Sequence, residues 1–204
     1  MSASIYLASS SPRRRDLLQQ MGVTFDLLLG RKPPREPAGV DESVMPGEKP
    51  DDYVRRITQQ KAEVAWQRLL LRTSLPHLPV LAADTTVALG MDILGTPGDA
   101  EEARAMLTRL SGSTHRVLTG VAVILGDRRA MRVSETVVTF CPLDAARIQR
   151  YVDTGEPLDK AGGYGIQGAA GAFVTRLEGS YSGVVGLPLF ETAELLREFG
   201  VTVP

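Results

Sequence analysis

The segment over residues 79–89 constrains this chain most: the apolar run Val80-Leu81-Ala82-Ala83 stops at Asp84-Thr85-Thr86 before Val87-Ala88-Leu89 resumes it. An apolar β segment of this kind belongs in a sheet, and a carboxylate ending its first half falls where the mouth of an open α/β sheet places a ligand. Strands and helices alternate around it. Ile5, Leu7 and Ala8 mark a buried strand over residues 4–9 that runs into a serine cluster, and Pro12 then opens a helix that Gly22 stops. A second strand follows over residues 23–29. The Pro- and Gly-rich stretch 30–50 is a long loop carrying Asp41 and Glu42. Val54, Ile57, Val64 and Ala65 recur at helical spacing over residues 51–71.

Beyond the central segment, Gly90-Met91-Asp92 turns the chain into a short returning strand, Ile93-Leu94. Asp99, with Glu102 three residues on, has the spacing of a helix N-cap ahead of an inner stripe of Ala103, Met106, Leu107 and Leu110, and Gly112 ends that helix. Two long β segments, 115–125 and 132–140, are joined by Gly126-Asp127-Arg128-Arg129. A helix over 143–154, a strand over 172–177 and an amphipathic helix over 187–200 complete an α/β chain with a mixed sheet.

At 204 residues the chain suits one domain, or two lobes sharing a cleft. Its 43% hydrophobic and 23% charged residues are those of an ordinary globular protein. With 23 Lys and Arg against 24 Asp and Glu, the formal net charge of −1 provides no global field toward DNA or an anionic membrane, so an anion has to be met locally. Aromatic content of 5% without a basic stripe argues against nucleic-acid binding. No stretch approaches the ~18 apolar residues of a membrane span, and no basic segment precedes an apolar core at the start of the sequence. The single cysteine, Cys141, excludes an internal disulfide and a multi-thiolate zinc site, which fits a reducing compartment; the expectation is a cytoplasmic protein.

Four constellations carry chemistry. In Ser9-Ser10-Ser11-Pro12-Arg13-Arg14-Arg15, three arginines occupy the positive end of a helix, an unfavourable placement by roughly 0.3–1 kcal/mol each. A bound polyanion reverses that sign, with Ser9 and Ser11 hydroxyls and free N–H groups completing a phosphate cradle; the alternative is Ser11 as a plain N-cap beside solvated arginines. Lys61 falls inside the apolar stripe of its helix and either snorkels to solvent or takes a partner, for which Glu42 and Asp84 are candidates. Asp84 is placed to act as a general base toward water or to hold Mg²⁺ between phosphates, the alternative being a turn aspartate that accepts from the Thr86 N–H. Thr85 lines whatever pocket Asp84 faces.

The fourth is Asp159-Lys160-Ala161-Gly162-Gly163-Tyr164-Gly165-Ile166-Gln167-Gly168. It contains G-x-G-x-x-G by coincidence, because no apolar strand precedes it and no helix follows. The glycines suit a loop that lets backbone approach a ligand closely, with Gln167 offering a paired donor and acceptor to a base edge; a structural turn cluster is the alternative. His77 and His115 share no metal-ligand spacing, and Cys141, followed by Pro142, has no identifiable base, which argues against covalent catalysis.

Taken in order, these segments resemble the Maf family of nucleoside triphosphate diphosphatases, from Leu7 to Leu189. The family's S-x-S-P-R-R is Ser9 to Arg14, its acidic loop residue Glu42, and its Y-V-x-x-[LI]-x-x-x-K-A helix Tyr53 to Ala62. Its A-D-T is Ala83-Asp84-Thr85, its L-S-G-x-x-H runs from Leu110 to His115, its D-K-A-G-x-Y-G-I-Q-G from Asp159 to Gly168, and its G-S-Y-x-x-V-V-G-L-P from Gly179 to Pro188. The resemblance implies an elongated mixed sheet flanked by helices with two lobes around a central cleft, often as a homodimer. It also implies hydrolysis of a nucleoside triphosphate between the α and β phosphates with a divalent metal, Mg²⁺ or Mn²⁺. On that analogy Asp84 is the proton acceptor, Lys61 and Glu42 act beside it, Glu42 and Asp84 hold the metal, and Ser9, Ser11, Arg14 and Lys160 meet the phosphates. Arg13, Thr85 and Gln167 match the subgroup acting on dTTP and UTP, with modified pyrimidine nucleotides as further substrates. One departure stands out: Gly95-Thr96-Pro97 replaces a family G-K-P or E-K-P whose lysine faces the phosphates. Thr96 therefore keeps open a catalytically weakened nucleotide-binding regulator linked to septation, and a diphosphatase for damaged purine nucleotides is the remaining alternative.

Overall fold

A computed structural model of the chain describes residues 4–31 and 39–203; residues 32–38 of the expected 30–50 loop lie outside the described residues. In chain order, β1 (Ile5–Leu7), α1 (Pro12–Gln20), β2 (Phe25–Leu27), α2 (Pro50–Leu70), β3 (Val80–Leu89) and β4 (Asp92–Leu94) precede α3 (Ala100–Leu110). There follow β5 (Thr114–Leu125), β6 (Arg128–Phe140), α4 (Ala145–Val152), β7 (Val174–Glu178), α5 (Tyr181–Val185) and α6 (Leu189–Glu198). Between α4 and β7 the chain forms three short 3-10 turns, Glu156–Asp159, Ala161–Gly163 and Ala169–Phe173. The mixed α/β class expected from the sequence is what forms.

The sheet runs β2-β1-β3-β5-β6-β7, parallel from β2 to β3 and antiparallel beyond. β3 organises it. Along one edge β5 pairs with it antiparallel from Val80↔Ile124 to Ala88↔Arg116. Along the other, β1 pairs only with Val80 and Leu81, and β4 only with residues 87–89. Among the described residues, 82–86 therefore have no strand partner on that edge, and Asp84 sits in the resulting fork.

Alternation of side chains across β3 separates the packing on its two faces. Tyr6, Val80, Ala82 and Ile124 pack beneath α2 through Ala62, Ala65, Trp66 and Leu69, with Val54, Ala88 and Leu118 continuing that layer. On the opposite face Leu81 and Ala83 join α1 and α6 through Leu17, Leu18, Leu195 and Leu196. Further along that same face Val87 joins α3 and α4 through Leu107, Leu110, Ile148 and Tyr151. Two apolar clusters thus flank Thr85 on one face of a single sheet.

Local chemistry explains the element ends. Asp99 caps α3 as expected, accepting from the Glu102 N–H at 2.8 Å. The β5–β6 hairpin is tighter than expected: the loop is Gly126-Asp127, with Gly126 at φ +60°, and Arg128 and Arg129 already belong to β6. Exposed arginines at the start of a strand leave no hydrophobic signal. Helix α5 departs from expectation altogether, since Ser180 caps it through the Gly183 N–H at 2.9 Å although two of its five residues are Gly or Ser.

His115 is structural. It stacks edge-on against Phe140 and Tyr164, with ring centroids 4.9 and 5.4 Å away, and its Nε2 shares a 2.8 Å hydrogen bond with the Tyr164 hydroxyl. Burial pushes the imidazole from 6.5 down to about 4. The unfolded chain therefore takes up a proton below pH 6.5 that the folded chain refuses until about pH 4, so this group's contribution to stability falls as pH drops through that window. The loss is on the order of 3 kcal/mol. Thermal unfolding between pH 7 and 4 should show a shallower acid-side decline for His115→Gln than for the wild type; parallel profiles would show that the ring carries no such penalty.

Candidate active site

The fork in β3 opens into a cleft of about 480 Å³. At its base Asp84, only 6% exposed, accepts a 2.6 Å hydrogen bond from Lys61 Nζ through Oδ1. The same ammonium lies 2.9 Å from Glu42 Oε1. Lys61 therefore takes partners on the inner face of α2 and does not snorkel. Tyr53, two turns earlier, donates its hydroxyl to the Glu42 carbonyl at 2.9 Å and so ties the acidic loop to the helix. Burial foremost, with Asp84 and Glu42 nearby, pushes that phenol up to about 12, so it stays a donor at neutral pH.

Helix α2 reaches Asp84 because of Gly120, the residue paired with Asp84 on β5. A Cβ built on Gly120 would lie 2.2 Å from Thr58 Oγ1 and 3.0 Å from Thr58 Cβ. Thr58 precedes Lys61 by one turn, so the missing side chain sets how closely the lysine approaches the carboxylate. No sequence signal singled out Gly120.

The N-terminus of α1 closes one side. Ser11 is its N-cap residue, but its hydroxyl makes no capping bond and faces the cleft. Ser9 Oγ accepts from the Ser11 N–H at 3.2 Å and from Arg14 Nη1 at 3.3 Å, and it faces an adjoining recess of about 280 Å³ that shares Arg14, Glu42 and Lys61. Arg14 also donates from Nε to the Gly186 carbonyl at 2.8 Å and from Nη2 to Thr85 Oγ1 at 3.4 Å. Desolvation draws its pKa down while Asp84 pulls it up. Arg13 reaches across to Asp159 at 3.2 Å. Arg15 does not line the cleft.

The glycine-rich loop forms the far wall. Lys160 Nζ donates to Asp159 Oδ1 at 2.5 Å and to the Glu156 carbonyl at 2.6 Å. Against the upward pull of burial, hydrogen bonds from Lys160 and Arg13 hold the Asp159 carboxyl below the ordinary range. Gly168 wraps so closely over Glu156 that a Cβ there would lie 2.1 Å from Oε1, so at this position the missing side chain serves a contact within the protein, as in the turn-cluster alternative. Glu156 in turn accepts from the Tyr151 hydroxyl at 2.9 Å and the Ala169 N–H at 3.2 Å. Neither Glu156 nor Tyr151 was singled out by the sequence, where each sits among ordinary helix and turn residues. Exposed Gln167 and Thr96 line the same cleft.

The structure therefore gathers Asp84, Lys61, Glu42, Arg13, Thr85, Gln167, Ser11, Arg14 and Lys160 around one cleft, with Ser9 just behind. Four cations (Arg13, Arg14, Lys61 and Lys160) face four carboxylates (Glu42, Asp84, Glu156 and Asp159), so the lining cancels formally. A triphosphate entering such a site needs added positive charge. Among the described residues no cluster of three or more His, Cys, Asp or Glu forms a complete metal cage. Two carboxylates converging on one ammonium do fit a magnesium-type ion, which binds through one or two carboxylates together with substrate phosphates.

Comparison with known proteins places the chain among relatives over nearly its whole length. Residues 4–199 match a family model described as Maf-like protein. The chain is 57% identical over 203 residues to a Cupriavidus metallidurans protein named dTTP/UTP pyrophosphatase, covering 98% of this chain and 99% of the relative. A Cupriavidus pinatubonensis protein of the same name is 59% identical over 196 residues, covering 95% and 96%. One from Nitrosomonas europaea is 53% identical over 199 residues, covering 98% and 96%.

Because α2 approaches the sheet at Gly120, Gly120→Ala should push Lys61 away from Asp84. We expect stability to fall by about 1–3 kcal/mol in chemical denaturation, and activity at saturating substrate to fall while the variant remains folded. Unchanged activity would separate the helix contact from the site.

Proposed function

The chain belongs to the Maf family, and on that premise we propose that it hydrolyses dTTP and UTP to the monophosphate and pyrophosphate. The observation that carries the reading is the Asp84–Lys61–Glu42 cluster at the base of a cleft that also receives the arginine-bearing start of α1. Water attacks the α phosphorus and the bond to the β-phosphate oxygen breaks, so pyrophosphate leaves. Asp84 accepts the proton of that water: Oδ1 is held by Lys61, and among the described residues Oδ2 has only a long 3.5 Å contact from the Thr86 hydroxyl. Lys61 and Arg14 offset the negative charge that develops on the phosphates, and the free N–H groups at the start of α1 hold the chain of phosphates in line.

The orientation of the nucleotide follows from the two faces of β3. On the Asp84 side stand Lys61 and Glu42, whereas Thr85, which Arg14 touches from the start of α1, shares its side with the apolar Val87, Val117, Val184 and Ile166. Phosphates go to the first and the base to the second, where Thr85, Gln167 and Arg13 supply polar contacts. Glu42 and Asp84 would hold a Mg²⁺ or Mn²⁺ ion, which supplies the positive charge that the balanced lining lacks. A cytoplasmic location and a homodimer complete the reading. Among the described residues no helix is long and apolar enough to cross a membrane.

Pyrophosphate release from UTP, dTTP, 7-methyl-GTP and ITP, each with Mg²⁺ and with Mn²⁺, tests it. UTP and dTTP should lead; preference for ITP, or nucleotide binding without release, overturns the reading in favour of the purine enzyme or the regulator. Asp84→Asn should remain folded, as circular dichroism would report, and lose at least about a hundredfold in kcat; retained turnover removes Asp84 from the base role. Thr96→Lys places a cation where the lining is short of one and should raise kcat on dTTP or UTP severalfold, up to about tenfold, equivalent to roughly 1.4 kcal/mol. No change or a fall would show a site rebuilt around threonine.

A further inference from the structure

Thr119 lies on β5 directly opposite Thr85 and is only 1% exposed. It takes no part in the chemistry described above, yet its hydroxyl decides what Thr85 can offer a ligand. Thr119 Oγ1 is 2.7 Å from the Gly183 carbonyl, which can only accept, so the single Thr119 proton is committed there. Thr85 Oγ1 is 3.0 Å from Thr119 Oγ1, and with the Thr119 proton spent, Thr85 must be the donor in that contact. Arg14 Nη2 donates to Thr85 as well. With the Thr85 proton committed to Thr119 and one lone pair to Arg14, the second lone pair is all that Thr85 Oγ1 has left to offer a ligand in the cleft it lines.

We propose that Thr119 is a specificity-positioning residue that locks Thr85 as a hydrogen-bond acceptor and so selects a pyrimidine carrying a proton on N3. The inference rests on the dTTP/UTP reading of the site and on the base lying on the Thr85 side. Uracil and thymine share an N3–H between two carbonyl groups, whereas cytosine presents a bare N3 and an amino group. An acceptor facing N3 completes a bond with the first two and confronts a lone pair in the third. A buried polar group left facing a like partner discriminates far more strongly than a difference in size. Gln167, the other uncharged polar group assigned to the base, can present either its amide oxygen or its nitrogen, so discrimination at N3 rests on Thr85.

The test compares kcat/KM for UTP and CTP in the wild type, Thr119→Val and Thr119→Ser. The valine variant removes the acceptor for the Thr85 proton, which becomes free to turn into the cleft and donate to cytosine N3. The UTP-to-CTP ratio should fall at least about tenfold, and serine should restore it. A role in packing alone would lower both nucleotides together and leave the ratio unmoved, which overturns the proposal. Should Thr119→Val not fold, the wild type carries the test: 3-methyl-UTP, which lacks the N3 proton, should be turned over at least about tenfold more slowly than 5-methyl-UTP, which has the same added bulk. Equal rates on the two overturn the proposal. Absence of pyrophosphate release from UTP by the wild type instead overturns the dTTP/UTP reading beneath it, so the two failures are distinct.

Discussion

Everything at the cleft depends on β3 being hydrogen-bonded along one whole edge and bare in the middle of the other. The full ladder to β5 fixes the strand, so the residues in its gap are held rigidly although nothing pairs with them on that side. A loop would have supplied the same residue types with far less positional constraint. The gap also turns neighbouring side chains toward different partners. Asp84 faces α2 and its lysine, Thr85 faces the hydroxyl of Thr119, and both border the same cavity because the sheet is open there.

Close approach of helix and strand is the second requirement, and it is met by subtraction. At Gly120 a missing side chain admits Thr58, and one turn later Lys61 meets Asp84 and Glu42. At Gly168 the same device lets the loop bearing Gln167 fold over Glu156. Cations and carboxylates are then paired inside the cleft, with Tyr53 and Tyr151 as neutral donors that hold acidic segments in place.

Much of this was legible because it rests on local rules. The Asp99 cap and the Lys61 that interrupts an apolar stripe each announce themselves within a few residues and appear as expected, whereas Asp84 lines the cleft from the middle of continuous β3 and not from a strand end. The parts that were not legible depend on partners distant in sequence. Gly120 matters only because Thr58 lies over it, and the Thr119 proton is committed only because the Gly183 carbonyl, 64 residues away, receives it. Helix α5 was missed because Ser182 and Gly183 argue against helix, while the Ser180 cap and the packing of Val185 override that propensity. The start of β6 was missed because its outward arginines carry no alternation to read.

The pairing of charges in the cleft bears on what happens after bond cleavage. Lys61 has Asp84 and Glu42 to return to, and Arg13 and Lys160 have Asp159, so each of these cations keeps a tethered counter-ion within reach. A departing diphosphate anion competes with carboxylates whose effective concentration is set by covalent attachment and does not decline as product accumulates. In the proposed reaction such a site would exchange its own ion pairs for the ligand's on entry and restore them on exit, which favours turnover over clogging by product.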